Sequence, residues 1–295
     1  MYNVLKHKWD FIKFYVGGNE KMSVTVKLIA HTPNPEQVVA AAAKLCYSPS
    51  KIDNILDGLD EEKSRSFVEM LSSLGHESPM EHVSFTFGID GISRACSHQL
   101  VRHRIASYSQ QSQRYVDGNK FDFVTPPSIA SCPEALEEYN KAIQAQSRAY
   151  SIVRDTLVCN SIKECEDGKL LEGTNQEIIE QYKEINKAQC SVFIKKANED
   201  ARFILPNAST TSIVVSMNVR SLHNFFDHRC CNRAQWEIRD VAIEMLKLCR
   251  EVAPSLFMGA GPRCLRGACP EGKMTCGKVK EVRAFFEELN GNING

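Results

Sequence analysis

The residues best placed to do chemistry form one run, Arg102-His103-Arg104-Ile105-Ala106-Ser107-Tyr108-Ser109-Gln110-Gln111-Ser112-Gln113-Arg114-Tyr115. It holds three guanidinium groups, one imidazole, three serine hydroxyls and three carboxamides. No Asp or Glu occurs from Gly91 to Val116, although the chain carries 36 acids. Guanidinium forks match phosphate oxygens two at a time, and hydroxyls and amides add neutral hydrogen bonds. The run therefore suits a multiply charged anion. A solvated basic face is the alternative. Ile105, Ala106, Tyr108 and Tyr115 favour a partly buried groove over it.

The elements that must position this run are legible as periodicity. Residues 24–29 alternate as a strand. Asn34-Pro35-Glu36 predicts a helix start with proline in the first turn, continuing to Leu45. Residues 61–74 predict an amphipathic helix with Phe67, Met70, Leu71 and Leu74 on its apolar face, ended by Gly75. Val83, Phe85, Phe87 and Ile89 alternate as a half-buried strand. A helix is expected over residues 92–104, which would put Gln99 and Arg102 on one face. Residues 121–125 predict a short strand stopped by Pro126-Pro127, and 133–160 and 175–201 predict two long helices. Residues 210–217 predict a strand. A helix follows from Asn218, with Arg220 and Asn224 one turn apart, and residues 234–253 predict the last long helix. The fold class expected is α+β: a mostly antiparallel sheet flanked by long helices.

Two further segments could suggest chemistry. His76-Glu77-Ser78-Pro79-Met80-Glu81-His82 has two His and two Glu, but the spacing differs from the helical H-E-x-x-H zinc motif and Pro79 forbids that helix. Cys264, Cys269 and Cys276 are spaced C-x4-C-x6-C, which is not a standard zinc pattern. A fourth ligand would have to come from Cys230, Cys231 or Cys249. A Gly/Pro-rich tail with reduced cysteines is the alternative, and no metal is assigned.

The pattern Arg-His-Arg, seven residues, then Ser, present as Arg102-His103-Arg104 and Ser112, resembles the signature of the flavin-dependent thymidylate synthases. Other segments agree. The 76–82 loop is similar to that family's Gly-His-Glu-Thr-Pro-x-Glu-His loop, with Ser78 in place of Thr. Asn218-Val219-Arg220-Ser221-Leu222-His223-Asn224-Phe225 is similar to its Asn-x-Arg-Ser-Leu-x-Asn-Phe segment, and 234–238 is also family-like. The resemblance covers roughly residues 24–255, less an insertion at about 155–190. It departs at Cys46, Gln110 and Arg233, where some relatives carry Ser, an acid and His.

The resemblance implies the thymidylate synthase-complementing protein fold. It implies reductive methylation of dUMP to dTMP with methylenetetrahydrofolate as carbon donor and reduced FAD, recharged by NADPH, as hydride source. It implies a homotetramer with shared active sites. Carried over residue by residue, dUMP would be bound by Gln99, Leu100, Val101, Arg102, Gln110, Gln111, Ser112, Gln113, Arg114, Arg202 and Arg229. Arg114 and Arg202 would anchor the phosphate, and Arg229 would be the catalytic group that polarises uracil. FAD would be bound by Ser78, Arg102, His103, Arg104, Asn218, Val219, Arg220 and Asn224. No G-x-G-x-x-G follows a strand, so arginines would replace a Rossmann glycine loop at the pyrophosphate. Ser112 has no evident base partner, so a phosphate-binding hydroxyl is favoured over a nucleophile. The domain plan expected is an N-terminal extension over 1–21, the flavin-dependent thymidylate synthase domain over 22–258, and a cysteine-containing C-terminal extension over 259–295.

Composition bounds these readings. The 295 residues are 43% hydrophobic with zero formal net charge. That allows a sizeable core and gives no global attraction to nucleic acid or membrane, so an anion site must arise from local clustering. A nucleic-acid-binding protein with a zinc-knuckle tail is the rival class. Neutral charge and sparse aromatic interleaving weigh against it. No run is apolar and long enough to span a bilayer, and no signal-peptide pattern opens the chain. A cytoplasmic location and twelve reduced cysteines are the resulting expectations.

Overall fold

The computed structural model describes residues 15–16, 24–118 and 121–291. Most of the expected N-terminal extension therefore lies outside the described residues. The chain divides into two compact units. One comprises residues 24–90, 96–109 and 213–295; the other comprises 1–23, 91–95 and 110–212.

The elements are α+β as expected. β2 (Thr25–His31), β3 (Ser84–Ser93), β4 (Ser107–Gln110) and β6 (Thr210–Asn218) form a four-stranded antiparallel sheet in the order β2-β3-β6-β4. β1 (Tyr15–Val16) pairs with β5 (Val124–Thr125) as a separate ribbon. The central strands bury one face completely: Val83, Phe85, Phe87 and Ile89 lead into β3 and along it, and Ile213, Val215 and Met217 line β6. Alternation puts these side chains on the core face, where each large apolar residue contributes about 1.5–3 kcal/mol. β2 is one of the two edge strands and is mostly exposed, with a register shift between Leu28 and Ala30.

In the first unit, α1 (Pro35–Leu45), α2 (Ile52–Asp57) and α3 (Glu61–Ser73) follow β2. α3 starts at Asp60, whose side chain accepts from the N–H of Lys63. It ends at Gly75, whose φ of 73° lets the N–H of His76 reach Leu71 O while that of Gly75 reaches Ser72 O. Its buried stripe is Ser64, Val68 and Leu71, not the expected Phe67, Met70, Leu71 and Leu74: Met70 and Leu74 are exposed. Apolar type alone placed the stripe about one position off, since Leu71 is common to both.

α4 (Arg94–Leu100) is shorter than the expected 92–104 helix. β3 continues through Ser93, and the helix stops at Leu100 in turns closed by Arg102 N to Gln99 O and His103 N to Leu100 O. Gln99 and Arg102 therefore do not share a helical face. α9 (Val219–Arg229), α10 (Trp236–Val252), α11 (Pro254–Phe257) and α12 (Val279–Gly291) complete this unit. Buried Arg250 fastens the turn after α11, donating Nε to Phe257 O at 3.2 Å and Nη2 to Ala260 O at 2.8 Å. Residues 259–291, the described part of the expected C-terminal extension, carry regular structure. Arg263–Leu265 and Gly272–Met274 are 3-10 turns, and α12 buries Val282, Phe286 and Leu289. Gly261 has φ 139°, and a Cβ there would stand 2.7 Å from Leu265 Cδ1 and 3.3 Å from the Phe286 ring.

The other unit carries α5 (Pro127–Ala130), α6 (Pro133–Lys163), α7 (Asn175–Ile185) and α8 (Lys187–Ala201). The single helix expected over 175–201 is broken at Asn186, which has φ −147° and ψ 79° and whose Oδ1 caps Gln189 N at 3.0 Å. An Asn side chain competes for main-chain N–H groups in this way, and periodicity does not show it. The expected insertion is part of this helical hairpin and has its own core, including Val158, Ile162, Ile178, Tyr182 and Cys190.

Candidate active site

The first unit contains a cavity of about 960 Å³. Its walls come from the turn after α4, from α9 and from the C-terminal extension. α9 is amphipathic. Val219, Leu222, Phe225 and Phe226 are fully buried on one face, while Arg220, Asn224, Asp227 and His228 line the cavity from the other. Asn218 fixes the start of α9 by accepting from Ser221 N at 2.8 Å, and also lines the cavity.

Arg102, His103 and Arg104 face this cavity from the opposite strand of chain. The turn that carries them is pinned by Tyr108, whose hydroxyl lies 2.9 Å from Leu100 O and 2.8 Å from His103 O. Burial pushes the Tyr108 phenol up to about 12, so it stays a hydrogen-bond donor. Arg102 and Arg104 have no acidic partner among the described residues. The cavity's other arginines are mostly neutralised. Arg220 pairs with Glu77 and Glu81, Arg233 with Glu271 and Arg263 with Asp227. The uncompensated charge is thus concentrated at Arg102 and Arg104, with Arg229 beside them.

Arg229 ends α9. Its Nε lies 3.0 Å from Nε2 of His103, and its Nη1 lies 3.5 Å from Oε1 of Gln99. The guanidinium is always a donor, so Nε2 of His103 accepts and its proton sits on Nδ1. The Phe225 ring meets the imidazole edge-on at 4.9 Å. Burial, with the neighbouring Arg229 and His228, holds His103 down at about 4. The imidazole is therefore neutral at pH 7.

Of the expected substrate residues, Gln110, Gln111, Ser112, Gln113, Arg114 and Arg202 lie in the other unit. Gln111 N donates to Ser212 O at 2.9 Å, and Gln111 O accepts from Arg94 Nη2 at 3.2 Å. Ser112 Oγ accepts from Arg114 N at 3.2 Å, and no carboxylate or imidazole is hydrogen-bonded to it among the described residues. That leaves the hydroxyl without an activating base, in keeping with a binding role. The Arg114 guanidinium pairs with Glu199, whose main-chain oxygen accepts from Arg202 Nε at 3.3 Å. Tyr115 lies between two cations, 5.6 Å from Arg114 and 5.3 Å from Lys195. Arg94 is half-buried, and burial with nearby Arg202 lowers its pKa.

Several expected residues do not present side chains to the cavity. Ser78, in the 3-10 turn Ser78–His82, does not line it. Val219 and Leu100 are fully buried, and the N–H of Val219 is already given to Val83 O. Sequence reading missed Glu81, Asp227, Arg233, Arg263 and Cys269, all of which line the cavity. The signal for Glu81 was its place in the 76–82 loop; the others depend on long-range packing. Among the described residues no group of three or more His, Cys, Asp or Glu is arranged to hold a metal ion.

The sequence model of the family described as thymidylate synthase complementing protein matches residues 27–255. The chain belongs to this family. It is 48% identical over 265 residues to the flavin-dependent thymidylate synthase of Clostridium tetani, covering 90% of this chain and 98% of that protein. It is 46% identical over 267 residues to the protein of the same name from Geobacter sulfurreducens, covering 90% and 99%. It is also 46% identical over 260 residues to that of Nitratidesulfovibrio vulgaris, covering 86% and 94%. The family match ends before the extension that supplies Arg263, Cys264, Cys269 and Glu271 to the cavity. No helix among the described residues is long and apolar enough to cross a membrane.

Proposed function

We propose that this chain methylates dUMP reductively to dTMP, with methylenetetrahydrofolate as carbon donor and FAD as bound cofactor. The observation that carries this reading is the cavity in which unpaired Arg102 and Arg104 flank a neutral His103 held by Arg229. The residues fit a flavin dinucleotide. The two arginines suit its pyrophosphate, Asn218, Arg220 and Asn224 line the same space, and about 960 Å³ lies within the usual size range of cofactor pockets. When bound, the flavin supplies the hydride that reduces the transferred one-carbon unit.

The chain's own residues bind and polarise. Arg229 is the group that stabilises negative charge at the N3–O4 edge of uracil. One edge of its fork is used by His103 and Gln99, which fixes the plane of the guanidinium. Nη2 has no partner among the described residues and remains for the pyrimidine. A preorganised donor of this kind acts most strongly as charge develops at the ring. Because His103 is neutral, it orients Arg229 without adding a cation. Gln99 and Arg102 serve the nucleotide from the same turn. Ser112, Arg114 and Arg202 are the proposed phosphate set, with the other residues of 110–114 as neutral donors and acceptors. Recharging of the flavin by NADPH, a homotetramer with shared sites and a cytoplasmic location belong to the same proposal.

The test is turnover by purified protein. dTMP should form only when dUMP, methylenetetrahydrofolate, FAD and NADPH are all present, and the protein should be yellow. Colourless protein after incubation with FAD, or dTMP formation that ignores FAD, would overturn the proposal.

A further inference from the structure

The C-terminal extension lies beyond the family match yet forms part of the cavity wall. Pro262, Cys269, Pro270 and Glu271 line the space that Arg102 and Arg104 face. The extension is fastened at several points. Arg233 donates Nη1 to Glu271 Oε2 at 2.9 Å and to Met274 O at 2.7 Å. Arg266 reaches Asp227 on α9 and donates to Gly259 O at 2.8 Å. Arg283, from α12, donates to Cys264 O at 2.9 Å and to Gly267 O at 2.7 Å. A segment tied at one end to Asp227 of the helix that carries Arg220 and Asn224, and at the other to Arg233 just beyond that helix, is built to hold a fixed surface there. Two prolines and a thiol give that surface an apolar, polarisable character. Such a surface suits the flat face of a ring system, while the arginines across the cavity suit phosphates.

We propose that residues 262–271 are part of the dinucleotide-binding site, covering a ring system of FAD, and that Arg233 is the positioning residue that holds this wall through Glu271 and Met274 O. The inference rests on the reading of the cavity as the FAD site. It adds a site element that lies outside the family's matched region.

Thiol accessibility tests it directly. Cys231 and Cys269 both line the cavity and are partly accessible, whereas Cys46 and Cys132 are exposed and do not line it. Full-length protein is treated with iodoacetamide with and without FAD, each cysteine is followed by peptide mass spectrometry, and FAD binding is read in parallel by flavin fluorescence. At free FAD about ten times its Kd, alkylation of a covered thiol should slow roughly tenfold. Cys231 and Cys269 should both be protected, and Cys46 and Cys132 should not change. In Glu271→Gln and Arg233→Ala, protection of Cys269 should fall while that of Cys231 persists. The charge-exchanged pair R233E/E271R should restore part of the protection. Apo-protein melting temperatures of the variants separate loosening of this wall from unfolding. Protection of Cys231 with unchanged alkylation of Cys269 in the wild type would overturn the proposal and leave the FAD reading standing. Absence of FAD binding by the wild type would overturn both.

Discussion

The Nε of Arg229, at the end of α9, lies 3.0 Å from Nε2 of His103, in the turn after α4. The two residues are 126 positions apart in sequence. Their contact fixes the histidine tautomer and one edge of the arginine fork together, so neither group acts alone.

A pH dependence follows. His103 is held at about 4, below its ordinary 6.5. The folded state therefore resists protonation while the unfolded chain accepts it below pH 6.5. Stability from this site is complete above pH 6.5 and is lost as pH falls toward 4. His103→Gln keeps an acceptor near Arg229 without the titration. Urea denaturation from pH 8 to 4 should show a flatter acid limb for His103→Gln than for the wild type. Parallel limbs would remove His103 as the cause.

Arg229→Ala should damage the chemical step more than dUMP binding. One preorganised donor at a developing charge is worth roughly 100-fold in rate. Arg229→Lys should not rescue, because a point charge replaces a planar fork and loses the Nε contact with His103. Single-turnover flavin oxidation alongside dUMP titration separates the two effects. A dUMP Kd that rises as much as the rate falls would contradict this assignment.

Ser112→Ala should be mild by comparison. Its hydroxyl is held by Arg114 N and has no base beside it. Loss of one hydroxyl among several phosphate donors costs about 1 kcal/mol, near fivefold in dUMP affinity. If Ser112→Ala stopped turnover while Arg229→Ala retained it, a serine nucleophile would have to replace the polarising arginine.

The basic run should select a mononucleotide over a polymer. Binding of dUMP and of single-stranded DNA, each measured across several salt concentrations, decides this. Weak DNA binding is expected. Tight DNA binding with a steep salt slope and no dUMP affinity would point to a nucleic-acid groove.

Asn218→Ala should cost about 1 kcal/mol of stability, since Ser221 N loses its cap. FAD affinity should fall with it, because the same residue lines the cavity. Thermal melting of the apo protein and fluorescence titration with FAD measure the two losses separately.

Much of this was legible in the residues. Proline at the start of α1, Gly75 after α3, alternation along β3 and the helix start at Asn218 each act within a few positions, where sterics and local hydrogen bonds decide the backbone. The Arg-His-Arg run raised the expectation of an anion site for the same reason: its charge imbalance is local. The break at Asn186 and the late start of α4 were not visible, because side-chain capping and strand pairing outweighed an unbroken helical pattern. The tertiary structure alone decided which charges stay free. Arg220, Arg233 and Arg263 are neutralised by Glu77 and Glu81, Glu271 and Asp227, while Arg102 and Arg104 are left facing the cavity. It also decided that a cysteine-bearing tail becomes a cavity wall, and that His103 is neutral. Burial and partners distant in sequence set a group's charge and exposure, and these exist only once the chain has folded.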